Sequence, residues 1–228
     1  MTVAGWTLIL AFVGLTVALA RPMGQWLFAL YRGTALPLER LVGPVERGFY
    51  RLAGIDPGAE QSWRRYALHL LVFQLVTTLF TYALLRGQAM LPLNPRGLAE
   101  IAPDGAMNTA VAFVTNTNWQ WYAGEVVLSN LSQMLALTLH NFLSAATGIA
   151  VAFALFRGFA RHEARTVGNF WADLTRITLY LLLPASLVYA LFLVASGVPQ
   201  TFASTFDLTT LEGARQTLVL GPVASQEA

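Results

Sequence analysis

Hydrophobic positions along this chain gather in four long runs, residues 3–20, 66–85, 134–156 and 177–196, and the stretches between them carry most of the charge. A spanning helix needs roughly 20 apolar residues, so each run predicts one transmembrane helix. A fifth apolar run, residues 107–114, is too short to cross a bilayer, and a polar stretch, residues 114–125, follows it at once. A half-length helix, a polar turn and then a full span is the pattern of a re-entrant pore loop. Such irregular backbone is tolerated at membrane depth only where it is buried in protein or lines a watery path. The predicted fold is all-α and integral to the membrane: four transmembrane helices with a re-entrant pore helix and filter loop.

The connections refine this pattern. Ala18-Leu19-Ala20 has the small residues of a signal-peptidase site, but nothing before Arg21 is charged. A signal peptide wants a positive n-region, so the first run reads as a retained helix, stopped by Arg21-Pro22. In residues 23–65, apolar Leu36, Leu38, Leu41, Val42, Val45, Phe49 and Leu52 recur between arginines. That spacing predicts helix lying on the membrane surface, broken into short pieces at Pro37, Gly43-Pro44 and Asp56-Pro57-Gly58. The arginines read as a solvated cytoplasmic face rather than a specific lipid site. His69 and Gln74 are the polar members of the second run. With no second histidine at ligand spacing, His69 reads as interfacial or hydrogen-bonded. Asp104 is placed to cap a short helix over residues 106–114.

The third run differs from the others. Gln133, Asn141, Ser144 and Gly148 fall at steps of eight, three and four and share one helical face, with His140 and Thr147 beside it. Polar groups in a membrane helix turn toward protein or water. Helix–helix packing through small and polar residues and pore lining both fit. Residues 157–176 form a second basic connection, Pro184 predicts a kink in the fourth run, and residues 197–228 are a more polar tail.

Composition supports lipid exposure. Hydrophobic residues make up 56% of the 228 and charged residues 11%, against about 25% charged in soluble chains. A net charge of +2 is too small to indicate nucleic-acid binding. The absence of cysteine excludes disulfides, thiol catalysis and cysteine-based metal sites. All 14 basic residues are arginines. Seven lie in residues 21–65, four in 157–176, two in 86–105 and one in 197–228. The positive-inside rule then places both basic connections in the cytoplasm and the pore loop and N-terminus outside. No Walker-type Gly-Lys-Ser/Thr or phosphorylatable aspartate motif is present, so the chain shows no ATP-hydrolysing site.

The polar turn carries the candidate chemistry. A cation entering a membrane exchanges its water shell for protein oxygens, and a ring of backbone carbonyls supplies them. Val114-Thr115-Asn116-Thr117-Asn118 suits this role, because asparagine tolerates left-handed backbone and threonine adds a hydroxyl. The C-terminal dipole of the short helix favours a cation. With no carboxylate among these residues, a dehydrated monovalent ion fits better than calcium. Trp119, Trp121 and Tyr122 wedge the loop or sit at the interface, and Glu125 is an outer-mouth charge or a partner for an arginine. A plain extracellular hairpin built on Asn-Thr-Asn fits the same residues. An intramembrane enzyme using His140 with Glu125 or a serine lacks any paired acid–base spacing.

Asn108-Thr109-Ala110-Val111 and Phe113-Val114-Thr115-Asn116-Thr117-Asn118-Trp119-Gln120 resemble the first filter loop of the potassium-binding subunit family of bacterial Kdp potassium-transporting ATPases. The likeness continues through Gly124-Glu125, Leu128-Ser129, Ser132-Gln133-Met134, Asn141-Phe142-Leu143-Ser144-Ala145-Ala146 and Gly221-Pro222-Val223-Ala224-Ser225-Gln226-Glu227-Ala228. The resemblance implies a channel-like subunit built from four helix–loop–helix repeats around one pore, preceded by an extra helix, in the bacterial inner membrane. It implies potassium as the transported ion and no organic cofactor. The partners it implies are a P-type ATPase subunit (KdpB) that hydrolyses ATP, a small accessory subunit (KdpC) and the lipid bilayer. It places the filter on Thr115, Asn116, Thr117 and Asn118, with Gln120 and Glu125 supporting the loop.

On that resemblance, residues 1–22 are the extra helix and 23–65 a cytoplasmic basic loop. Residues 66–156 are the first repeat with its pore loop at 106–125, 157–176 a second cytoplasmic loop, and 177–228 the start of the second repeat. Two positions depart from the family pattern: His140 stands where a glutamine is expected, and Trp121 replaces a small polar residue. The chain reads as a fragment of the family's length. The alternative is a truncated, non-transporting membrane protein that only packs with partner subunits.

Overall fold

A computed structural model describes residues 2–34, 36, 38–161, 165–203 and 205–228. Four of its helices are long and apolar enough to cross a membrane: α1 (Val3–Arg32), α3 (Trp63–Met90), α6 (Asn130–Ala160) and α7 (Phe170–Ala195). Between them lie α2 (Glu39–Ala53), α4 (Pro103–Val114) and the single turn α5 (Gly124–Val127). An antiparallel hairpin, β1 (Thr205–Thr209) with β2 (Arg215–Val219), and the short α8 (Val223–Glu227) end the chain. The structure is thus mostly helical, as the hydrophobic pattern predicts, with a small exposed hairpin in the polar tail.

Several local breaks expected from the sequence do not occur. The apolar run of α1 ends at Arg21-Pro22, but the helix continues through Pro22 to Arg32. A proline removes one backbone donor, and here the following turns dock Trp26, Leu27, Leu30 and Tyr31 against the bundle. The helix stops at Gly33, whose φ of 65° lets its N–H close on Ala29 and Leu30. Likewise α2 runs through Gly43-Pro44 without interruption, held by its buried residues Glu46 and Tyr50. The expected break at Pro37 lies outside the described residues. In α7, Pro184 follows a π-helical segment, Thr178–Leu182, and the helix carries on to Ala195. Pro184 cannot donate to the Tyr180 carbonyl four residues back, and the Trp26 indole donates to that oxygen instead, at 3.1 Å.

Two cores sit at opposite ends of the bundle. At one, the end of α1, the start of α3, the end of α6 and the start of α7 meet through Leu30, Tyr66, Phe153, Phe170 and Ile177. At the other, the end of α3, the start of α6 and α4 meet through Leu84, Leu85, Phe113, Leu128 and Leu137. The four long helices therefore alternate in direction.

The first core is bound by charge. Arg157, 6% exposed, makes a bidentate pair with Asp173 at 2.5 and 2.9 Å. Its guanidinium also donates to the carbonyls of Val167 and Tyr31 and lies 5.0 Å from the Tyr31 ring. Tyr66 donates to the same carboxylate at 3.0 Å. Arg176 pairs with Glu46 and Arg161 with Glu60, both at 2.9 Å. In the second basic connection, Arg157, Arg161 and Arg176 thus tie the chain together through acidic partners. Burial pushes the Glu46 carboxyl upward, but hydrogen bonds from Tyr180, Arg176 and Tyr50 outweigh it and hold its pKa below the usual carboxylate value.

Candidate functional site

Helix α4 enters through Pro103 at its first position, where the missing N–H costs nothing. Ala102 occupies the cap position, so Asp104 does not cap the helix as expected; it sits in the first turn, where its charge faces the positive end of the dipole. One face of α4 is buried through Ala106, Thr109, Ala110 and Phe113. After Val114 the chain reverses. Thr117 and Asn118 both return their N–H groups to the Ala112 carbonyl, at 2.8 and 3.1 Å. Asn116 and Asn118 adopt left-handed backbone, with φ of 61° and 51°, a region asparagine enters far more readily than most residues.

This handedness leaves Thr115, Asn116, Thr117 and Asn118 exposed at the end of a helix. Among the described residues, none of their four backbone carbonyls accepts a hydrogen bond. Backbone carbonyls are strong acceptors, so four consecutive free ones form a concentrated oxygen surface. The threonine hydroxyls are already engaged: Thr115 donates to Val111 at 2.8 Å, and the Thr115 and Thr117 hydroxyls lie 3.1 Å apart. The turn borders a cleft of about 440 Å³ that also takes in Met107, Val111 and Trp119.

The loop behind the turn is anchored at several points. The Tyr122 hydroxyl meets Thr109 of α4 at 2.9 Å, and burial raises the phenol's pKa despite that bond. The Trp121 ring packs on Gly105, where a Cβ would lie 3.0 Å from it. The Gln120 amide nitrogen lies 3.9 Å from a Cβ built on Gly124, beside the base of the loop. Glu125 is half-buried, and Arg96 donates to its backbone carbonyl rather than its carboxylate. Among the described residues no arginine pairs with the Glu125 side chain.

Two anchors escaped the sequence reading. Gln88 is fully buried; its amide donates to the carbonyls of Ala99 and Val127 (3.1 Å to the latter) and accepts from the Ser129 N–H at 3.2 Å. One side chain thus fastens the loop before α4, the turn α5 and the entry to α6. The Ser144 hydroxyl of α6 donates to the His140 carbonyl and lies 3.1 Å from the Asn116 side-chain amide, hooking the exposed turn to the span behind it. The signal available for this contact was the polar face of the third run. That face is shifted from expectation: Gln133, His140, Ser144 and Thr147 are buried, whereas Asn141 is partly exposed and Gly148 exposed. Gln133–Thr138 is wound as a π-helix, so the regular period does not hold there. His140 bonds Thr81 of α3 through Nε2 at 3.2 Å. It serves as a link between spans.

Comparison with known proteins adds an independent line. The family model described as "Potassium-transporting ATPase A subunit" matches residues 10–228. The chain is 56% identical over its full length to the potassium-transporting ATPase potassium-binding subunits of Granulibacter bethesdensis and Methylorubrum populi, and 54% identical to that of Rhodopseudomonas palustris. It spans 40% of the length of each of these curated relatives.

Proposed function

The chain belongs to the potassium-transporting ATPase A-subunit family, and we propose that it provides one filter loop of a potassium-binding and potassium-translocating membrane subunit. The observation that carries this reading is the row of four uncommitted carbonyls at Thr115, Asn116, Thr117 and Asn118. Carbonyl oxygens replace the hydration shell of a monovalent cation. The negative end of the α4 dipole lies directly beneath them. On this reading α4 and the turn are re-entrant, residues 66–156 form one helix–loop–helix repeat, residues 1–22 an extra helix and 177–228 the beginning of another repeat. Gln120 and Glu125 support the loop.

A single loop approaches an ion from one side only, so the full coordination shell needs further loops. Orientation follows the arginine distribution, with the filter mouth and the N-terminus outside and the basic connections in the cytoplasm of a bacterium. The energy for uptake comes from a P-type ATPase subunit, with a small accessory subunit completing the complex in the inner membrane. Support for these partners is that the relatives are named as subunits of a potassium-transporting ATPase.

The test is potassium uptake by a bacterial strain that depends on this protein for growth at low potassium. Asn116→Val forces a β-branched residue into left-handed backbone, at a cost on the order of 1–3 kcal/mol. We expect apparent potassium affinity to fall about tenfold or more with membrane expression unchanged. Unaltered affinity at normal expression would overturn the site.

A further inference from the structure

We propose that the chain holds a phospholipid in a cleft between α2, α3 and α7, with the lipid phosphate on Arg65 and His69 and an acyl chain in the adjoining groove. Three helix faces build the cleft. Arg65, His69 and Phe73 follow at steps of four along α3, and Val45, Phe49 and Ala53 do the same along α2. Trp171, Leu174 and Thr178 form the wall on α7. Residues four apart share a helical face, so each helix presents one continuous strip.

The strips grade from polar to apolar. A chamber of about 460 Å³ contains Arg65, His69, Gln61 and Asn169. A second space of about 260 Å³, lined by Phe73, Leu143, Leu174 and Leu179, adjoins it, and Phe49 and Trp171 border both. From Arg65 to Phe73 the cleft rises about 12 Å along α3. A charged mouth opening onto an apolar channel of that length, on helices apolar enough to span a membrane, has the amphipathic form of a lipid.

Two donors at the mouth lack acceptors among the described residues. The Phe170 N–H donates to the Gln61 oxygen at 3.2 Å, which fixes that amide so that its nitrogen faces His69 Nδ1 at 3.1 Å. The Gln61 nitrogen can only donate, so the neutral imidazole carries its proton on Nε2. Among the described residues neither that N–H nor the Arg65 guanidinium has a hydrogen-bond acceptor or ion-pair partner. Asp56 also borders the chamber, but its carboxylate accepts the Gly58 N–H within its own turn, at 2.9 Å. A phosphate diester supplies the missing acceptors. This assignment is independent of the potassium site and revises the view of the first basic connection as merely solvated.

Native mass spectrometry of the delipidated full protein tests it, with phosphatidylglycerol, diacylglycerol of the same acyl chains and inorganic phosphate as separate titrants. We expect one retained phosphatidylglycerol, with diacylglycerol and phosphate each bound far more weakly. Arg65→Gln should weaken retention about fivefold. Val45→Trp, which fills the groove from its exposed edge and changes no charge, should weaken it as well. Equal retention of diacylglycerol, equal binding of phosphate alone, or unchanged retention in both variants overturns the proposal. A photo-crosslinker replacing Phe49 in native membranes should capture lipid; capture of a protein chain alone would show that a partner helix fills the cleft and would also overturn it.

Discussion

Asp173→Leu strands the Arg157 guanidinium in the core that joins all four long helices. Arg157 is 6% exposed and Asp173 3%, and the pair is bidentate. Breaking a buried pair by removing one partner costs about 3–5 kcal/mol, because an uncompensated charge stays behind. Arg157 retains the carbonyls of Val167 and Tyr31 and the Tyr31 ring, and Tyr66 retains the Ala150 carbonyl. These place the expected loss at the lower end, about 3 kcal/mol. For a chain of this size that is a drop in Tm of roughly 6–12 °C, read by thermal unfolding of the detergent-solubilised protein followed by size exclusion. Arg157→Met combined with Asp173→Leu should recover much of the loss, since apolar replacement of a whole buried pair is often neutral. A single variant within about 1 °C of the parent, or a double variant as damaged as the sum of both singles, would show that the pair does not hold this core.

Other perturbations follow from the same structure. Gly168 has a φ of 104°, and a Cβ there would strike the Arg157 guanidinium, so Gly168→Ala should cost more than about 1 kcal/mol and lower Tm in the same assay. Gln88→Ala leaves the Ala99 and Val127 carbonyls and the Ser129 N–H without their partner; hydrogen exchange should accelerate in the loops on both sides of α4, with a loss of about 1–3 kcal/mol. The depressed pKa of Glu46 means that its contribution to stability is present above the ordinary carboxylate range and lost as pH falls through the depressed value. Glu46→Gln should therefore flatten the acid limb of a Tm-against-pH curve.

The spans were legible because a run of about 20 apolar residues has few alternatives. Their ends were less so. Arg21-Pro22 and Gly43-Pro44 look like terminators, yet Pro22 and Pro44 lie inside helices because tertiary packing on either side outweighs one lost hydrogen bond. The pairing of Arg157 was not legible, because its partner, Asp173, lies 16 residues on and across a chain reversal. At the candidate site, the Asn-Thr-Asn alternation carried the left-handed turn into view. The hook from Ser144 to Asn116 spans 28 residues, and the π-helix at Gln133–Thr138 moves the buried face off its regular period. The polar face of the third run marks the donors, but no local pattern names their partners.

Coordination of potassium by the carbonyls of Thr115, Asn116, Thr117 and Asn118 is open to a direct test. Isotope-edited infrared spectroscopy of the assembled protein, with 13C=O placed in the threonines and asparagines and with Asn116→Val as the control, reads those oxygens directly. If these oxygens hold the ion, the labelled amide band shifts when sodium is exchanged for potassium, and the shift is diminished in Asn116→Val. A labelled band that does not respond to potassium in protein that still takes up potassium would contradict that coordination.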